Sequence, residues 1–125
     1  MKINPDTNII NIPITLFGEN GSLDINAALD TGASYIMIPW GVAEKLGYDP
    51  ARSRKTIHIT TASGTEKVPL ITIKKINALG VSKENVLAVC HDMPPQTSIY
   101  ALLGLSFLRG HTTTINLKEG EIKMK

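Results

Sequence analysis

Ala27-Ala28-Leu29-Asp30-Thr31-Gly32-Ala33-Ser34 is the stretch on which the reading of this chain turns. A run of small apolar residues suits a buried strand, and Thr31-Gly32 lets the backbone turn sharply at its end. Asp30 therefore leaves the core at a strand terminus, on a tight loop, half shielded from water. A carboxylate in that position is either held by hydrogen bonds or has a perturbed pKa, because burying a bare charge costs several kcal/mol or more. The plain alternative is a turn-capping aspartate bonded to its own backbone, and a three-residue motif is short enough to occur by accident. The flanking sequence decides between the two.

Upstream, Ile9 to Phe17 reads as a β-branched strand, with Pro13 pushing it toward a sheet edge. Asn20-Gly21 marks a hairpin, and Leu23 to Leu29 returns as the strand that feeds Asp30. Downstream, Tyr35-Ile36-Met37-Ile38 is a short apolar strand, and Pro39 opens a helix that runs to Leu46 and stops at Gly47. Tyr48 to Lys55 is a loop. Thr56 to Thr60 and Val68 to Ile73 alternate as strands around Thr61-Ala62-Ser63-Gly64-Thr65-Glu66-Lys67, a hairpin with a small tip. Ile76 to Val81 and Glu84 to Cys90 read as two more strands, and Pro94-Pro95 sets a loop. Ser98 to Leu103 is an apolar strand ending at Gly104, Leu105 to Arg109 is a short helix, and His111 to Leu117 with Glu121 to Lys125 forms a last hairpin. Many short strands with frequent turns and one or two small helices predict an all-β, closed barrel-like domain spanning residues 1–125.

Composition bounds the rest. A chain of 125 residues with 42% hydrophobic content is one domain with room for a core. A net charge of +2 leaves no nucleic-acid footprint, and Arg52-Ser53-Arg54-Lys55 reads as a solvated loop. The opening Met1-Lys2-Ile3-Asn4-Pro5-Asp6 has no apolar signal region, and no run nears the roughly 18 apolar residues of a membrane span. Cys90 is the single cysteine, which rules out an internal disulfide and suits a reducing compartment. The expectation is a cytoplasmic protein with no metal, no cofactor, no nucleic-acid partner and no membrane partner. Asn20-Gly21-Ser22 fits a glycosylation pattern that this location leaves unused.

Asp30-Thr31-Gly32-Ala33, the glycine-bearing hairpin tip and Leu102-Leu103-Gly104 ahead of a short helix together resemble the retropepsin-like aspartic proteases, from about Ile9 to the C-terminus. That resemblance implies a closed β-barrel with a flap hairpin, equivalent to half of a pepsin-like two-lobed enzyme. It implies that Asp30 is the catalytic aspartate, that Thr31 locks two active loops together, and that Gly32 opens backbone access to substrate, with Ala33 the small residue after it. Ala62, Ser63, Gly64 and Thr65 correspond to a flap tip closing over an extended peptide, and Leu102, Leu103 and Gly104 to the motif supporting the loop. Ser106 departs from the Asp or Asn that many relatives carry there. Carboxylate-driven peptide hydrolysis needs two carboxyl groups around one water, sharing a single proton. This chain has a single Asp-Thr-Gly, and Asp6, Asp24, Asp49 and Asp92 lie in turn or exposed contexts. The second carboxylate is then Asp30 of another copy across a two-fold axis, an isologous homodimer acting on a peptide substrate. Ile36, Ile38, Ile71 and Leu103 are candidate walls of an apolar specificity pocket, and either terminus alternates at strand period and can pair across the axis.

Rival readings are weaker. Gly104-Leu105-Ser106-Phe107-Leu108 nearly matches a nucleophile elbow but lacks the final glycine and the alternating helix–strand fold. His58, His91 and His111 lack the paired spacing of zinc sites. An Asp-Thr-Gly phosphate loop of the actin and sugar-kinase type needs a much longer chain. Trp40 and Cys90 read as packing residues. The rival of a different class is a non-catalytic dimeric module that binds peptides in the same groove by strand addition. Pepsin-like relatives place a hydroxyl where Ala33 stands, and its loss removes one donor to the aspartate. A pH–rate profile is therefore expected to peak between mildly acidic and neutral pH; a maximum below about pH 3 contradicts this.

Overall fold

The computed structural model describes residues 1–61 and 63–125. β1 (Asn11–Gly18) and β2 (Gly21–Leu29) form the first hairpin, turning through Glu19-Asn20 between the paired Gly18 and Gly21. After the Asp30 loop come β3 (Ile36–Ile38), α1 (Trp40–Lys45) and a single 3-10 turn at Pro50–Arg52. β4 (Lys55–Thr61) and β5 (Gly64–Ala78) make the second hairpin, and β6 (Val81–Cys90) returns along β5. β7 (Leu102–Leu103), α2 (Leu105–Leu108), β8 (Thr113–Asn116) and β9 (Glu121–Met124) complete the chain.

The main sheet runs β1-β2-β7-β3-β6-β5-β4, and β1 also pairs with β5 through Ile14↔Ala78 to Phe17↔Lys75. That second pairing closes a ring, and β4 hangs outside it on β5. The all-β class therefore holds, although the ring is less regular than a barrel of even strands: β7 contributes two residues and β3 three. Inside lie Ile12, Ile14 and Leu16 of β1, Ile36 and Ile38 of β3, Ile73 and Ile76 of β5, and Leu103 and Phe107, all fully buried. Each such side chain contributes on the order of 1.5–3 kcal/mol on leaving water. Among the described residues, no polar or charged side chain is buried with them.

Several sequence expectations need correction. Pro13 does not mark a sheet edge: β1 is paired on both sides, and the β1–β5 ladder begins only at Ile14. The missing N–H of Pro13 therefore falls where β1 has a single neighbour. The stretches Val68–Ile73 and Ile76–Val81 are not separate strands; β5 runs unbroken to Ala78 and turns at Leu79-Gly80, both with positive φ. Its buried face does not keep one parity: Val68 and Leu70 are buried on one phase, Ile73 on the other, and a second switch returns Ile76 and Ala78 to the first. The second switch falls near Lys74, opposite Asn85, a residue at φ 55° and a position the ladder skips. A shift of phase reads as a break when only periodicity is available. The hairpin tip is also tighter than expected, since Thr65, Glu66 and Lys67 belong to β5 and Thr61 pairs directly with Gly64. Of the apolar run Ser98–Leu103, only Leu102–Leu103 is a strand.

Helix α1 follows the sequence signals closely, with Pro39 extended at its start and Gly47 at φ 98° after its last turn. The two termini pair with each other: Ile122 N–H donates to Met1 O at 2.9 Å, Ile3 N–H to Gly120 O at 2.9 Å, and Lys2 bridges Glu121. Cys90 is fully buried, which pushes its thiol up to about 12 and leaves it a neutral packing residue. No helix among the described residues is long and apolar enough to cross a membrane.

One cross-link fastens α1's trailing loop to the ring. The Tyr48 hydroxyl donates to Phe17 O at 2.6 Å and accepts the Lys74 N–H at 2.8 Å. Burial, more than any neighbouring charge, raises the pKa of this phenol. Tyr48→Phe removes both bonds and leaves a backbone donor and acceptor unmatched, an expected loss of about 1–3 kcal/mol. Thermal unfolding of the two proteins checks it.

Candidate active site

Asp30 sits just past the end of β2, half-buried, where the sequence places it. Two strands fix its backbone. β2 pairs in parallel with β7, Ala28↔Leu102 and Leu29↔Leu103, and the Asp30 N–H continues the ladder by donating to Leu103 O at 3.1 Å. The same β7 pairs with β3 through Met37↔Leu102, so the strand entering the loop and the strand leaving it flank one short spacer. The loop is then tight: Gly32 N–H donates to Asp30 Oδ1 at 2.9 Å, and Ala33 N–H to Asp30 O at 3.2 Å. Among the described residues, Gly32 supplies the hydrogen bond to the carboxylate, and Ala33 adds none to it. Thr31, Gly32 and Ser34 are exposed, and Ala33 is half-buried.

Leu102, Leu103 and Gly104 lie under this loop. Leu103 is fully buried, and Gly104 is pressed against the backbone of the loop's exit. A Cβ on Gly104 would collide with the carbonyl oxygen of Tyr35 and lie 2.7 Å from that of Ala33. Next to it, Leu105 N–H donates to Ala33 O at 2.8 Å. Glycine is required here by close approach, not by φ.

Ser106 takes up a role its sequence did not signal. Its hydroxyl accepts the Ile36 N–H at 2.9 Å and donates to Leu87 O at 2.7 Å, joining β3 to β6 just beyond the loop. Lys83 is the other residue sequence reasoning missed: its Nζ donates to Ser106 O, Phe107 O and Arg109 O at 3.1, 3.2 and 2.8 Å. A cation at the C-terminal end of α2 satisfies carbonyls that the helix leaves unpaired. A lysine in the turn between two expected strands gives no hint of such partners, so only the fold could reveal it. Three of the other aspartates are occupied elsewhere: Asp24 accepts the Thr15 hydroxyl, Asp92 accepts the Trp40 N–H, and Asp49 pairs with Arg52.

The β4–β5 hairpin places Ser63, Gly64 and Thr65 at or beside its exposed tip; Ala62 lies outside the described residues. Thr61 Oγ1 donates to Gly64 O at 2.9 Å across that tip. Ile57, Ile59, Val68 and Leu70 of the hairpin cluster with Val89 and with Tyr35 and Met37, which directly follow the Asp30 loop. The hairpin base and the loop exit therefore share one face. The expected apolar pocket needs revision: Ile36, Ile38 and Leu103 are fully buried in the core and line nothing open, whereas Ile71, Leu29, Tyr35, Met37 and Leu102 are half-buried. An open cleft of about 610 Å³ lies beside the termini, lined by Met1, Leu79, Ile122 and Met124 among others, and takes no wall from the Asp30 loop. Among the described residues, no three His, Cys, Asp or Glu side chains converge as metal ligands.

Residues 19–110 match the family described as "gag-polyprotein putative aspartyl protease". A crystal structure of a retropepsin-like aspartic protease from Rickettsia conorii is 26% identical and superposes with a TM-score of 0.69, over 100% of this chain and 97% of that one. An uncharacterized protein in the cobV 5' region of Sinorhizobium sp. is 32% identical over 85 residues. That match takes in 68% of this chain and 36% of the relative, so the chain spans about a third of its length. This chain belongs to the retropepsin-like aspartic protease family.

Two substitutions probe the support of the loop. Gly104→Ala must displace backbone carbonyls, an expected cost of about 2–4 kcal/mol. Ser106→Ala strands the Ile36 N–H and the Leu87 carbonyl, at about 1–3 kcal/mol. Urea denaturation of both variants, read at constant slope, is the check.

Proposed function

We propose that this chain is an aspartic endopeptidase active as a homodimer, with one water held between the Asp30 carboxylates of two copies. The observation that carries the reading is the placement of Asp30: a half-buried carboxylate on a braced loop, with Gly32 supplying one donor to Oδ1 and the exposed Thr31 beside it. Family membership supports the chemistry, and the single Asp-Thr-Gly supports the need for a second copy.

Two carboxylates in contact cannot both ionise, so such a pair shares one proton and titrates as a unit. The ionised member takes a proton from water while the protonated member hydrogen-bonds the scissile carbonyl oxygen. Water attacks the carbonyl carbon, and collapse of the tetrahedral adduct passes a proton to the departing amine. In this reading Thr31 joins the two loops across the axis, and Gly32 and Ala33 keep the substrate's approach open. Ala62, Ser63, Gly64 and Thr65 close over the peptide and exclude water, as a lid does. Leu102, Leu103 and Gly104 hold the loop from below. The chain binds an extended peptide and needs no cofactor for this step. A cytoplasmic setting fits the lone buried Cys90.

The test is cleavage of a diverse peptide library between pH 4 and 7, read by mass spectrometry, for wild type and Asp30→Asn in parallel. Wild type is expected to cut, with specific activity falling on dilution as the dimer dissociates, and Asp30→Asn is expected to lose at least the 10²–10⁴-fold or so that acid–base catalysis supplies. A folded dimer that binds peptides and never cuts them, before or after substitution, is the binding module instead.

A further inference from the structure

The β5–β6 ladder ends at Leu70↔Val89, and from there to its tip β5 pairs only with β4. The hairpin thus projects from the ring and is fastened near that point by three devices. Ser53 Oγ donates to Leu70 O at 2.6 Å. The apolar cluster of Val68, Leu70 and Val89 packs with Tyr35 and Met37. The third is an ion pair, His91 Nε2 to Glu66 Oε2 at 3.4 Å, between the residue just after β6 and the hairpin's returning strand. His91 is itself anchored, its N–H donating to Ile38 O at 3.0 Å, and its side chain is 24% exposed against 47% for Glu66. Of the three fastenings, this one alone involves a histidine.

We propose that His91 and Glu66 are positioning residues forming a proton-operated latch on the β4–β5 hairpin. With the imidazole protonated, its attraction for Glu66 draws the hairpin toward the ring; with the imidazole neutral, that attraction is gone. The attraction depends on the imidazole's proton, so it is present on the acid side and is lost as pH rises and that proton leaves. The charged groups around His91 are few. Lys67, next along β5, lines the same cleft as His91, Glu66, Trp40 and Cys90 and opposes the imidazolium. Asp92 follows His91 in the chain and favours it, although one oxygen already accepts the Trp40 N–H. Glu44 of α1 is near enough to Cys90 to act on its thiol, which burial keeps neutral. His58 is exposed on β4, paired in register with Lys67, and has no carboxylate partner within ion-pair reach among the described residues.

The consequence for peptide hydrolysis rests on the proposed function. There the latch favours a closed lid in the same mildly acidic range where a carboxyl pair keeps its shared proton, so peptide engagement and chemistry would be lost together as pH rises.

Hydrogen exchange of the amides in 55–61 and 64–68 tests the latch without any substrate. Rates are taken at pH 5.5 and 7.5, corrected for intrinsic chemical exchange, in wild type, His91→Gln, Glu66→Gln and the control His58→Gln. Wild type and His58→Gln are expected to lose about two- to fivefold of hairpin protection at the higher pH, the span a partly exposed ion pair supports. In His91→Gln and Glu66→Gln the protection is expected not to change with pH. Equal protection at both pH values in wild type, or a shift that survives in His91→Gln, overturns the proposal. If a cleaved peptide is in hand, the same latch predicts a KM that rises with pH in wild type and stays flat in both latch variants, with kcat unaltered by the substitutions. A pH-dependent hairpin in a protein that cuts nothing upholds the latch and removes the protease reading, so the two fail separately.

Discussion

The structure depends on one backbone constraint, the insertion of a two-residue strand between the strands on either side of the Asp30 loop. β7 accepts a parallel partner on one side and an antiparallel one on the other, and so completes the ring. Parallel strands cannot be joined by a tight turn, so β7 must arrive from far down the chain. Residues 91–101 lead irregularly from β6 to this position, and Leu102–Leu103, though only a pair, governs the position of Asp30. With Leu103 O holding the Asp30 N–H and Gly104 pressed beneath Ala33 and Tyr35, the carboxylate is set by main-chain geometry and not by its own rotamer alone.

Around that constraint, polar side chains do the local fastening. Ser106 joins β3 to β6, Lys83 holds three carbonyls at the end of α2, and Tyr48 joins the loop after α1 to β1 and β5. Each satisfies main-chain groups that short, irregular elements leave open, and a ring made of such elements has many of them. Hydrophobic burial supplies the cohesion, and these bonds decide how the elements meet.

The sequence disclosed the Asp30 loop and its support far better than it disclosed the sheet. Asp30, Gly32 and Gly104 are readable because their chemistry requires particular residues: a carboxylate, a turn and a position with no room for a Cβ. The first hairpin and α1 are readable for the same reason, through Asn20-Gly21, Pro39 and Gly47. By contrast β5 was divided in two because its buried face changes phase near Lys74, and a period-2 pattern carries no record of which face is inward. Pro13 misled in the other direction, since a proline is tolerated in a doubly paired strand where one neighbour has not yet begun. Ile36, Ile38 and Leu103 could not be told from pocket residues because apolar character is the same in a core and in a cleft. Ser106, Lys83 and the His91–Glu66 pair depend on partners distant in the chain, which spacing cannot reveal.

The unbroken course of β5 has a mechanical consequence. One strand forms the tip of the hairpin, the floor of the ring and the seam with β1, so the hairpin is the free arm of a lever whose other arm is clamped in the core. From Leu70 to Gly64 the free arm measures roughly 20 Å at about 3.3 Å per residue. A tilt of about 10° at Leu70 carries the end of that arm by roughly 3–4 Å, close to the width of a peptide backbone. Small changes at the fulcrum are thereby enlarged at the tip, and the residues at the fulcrum govern clearance there without touching whatever passes beneath.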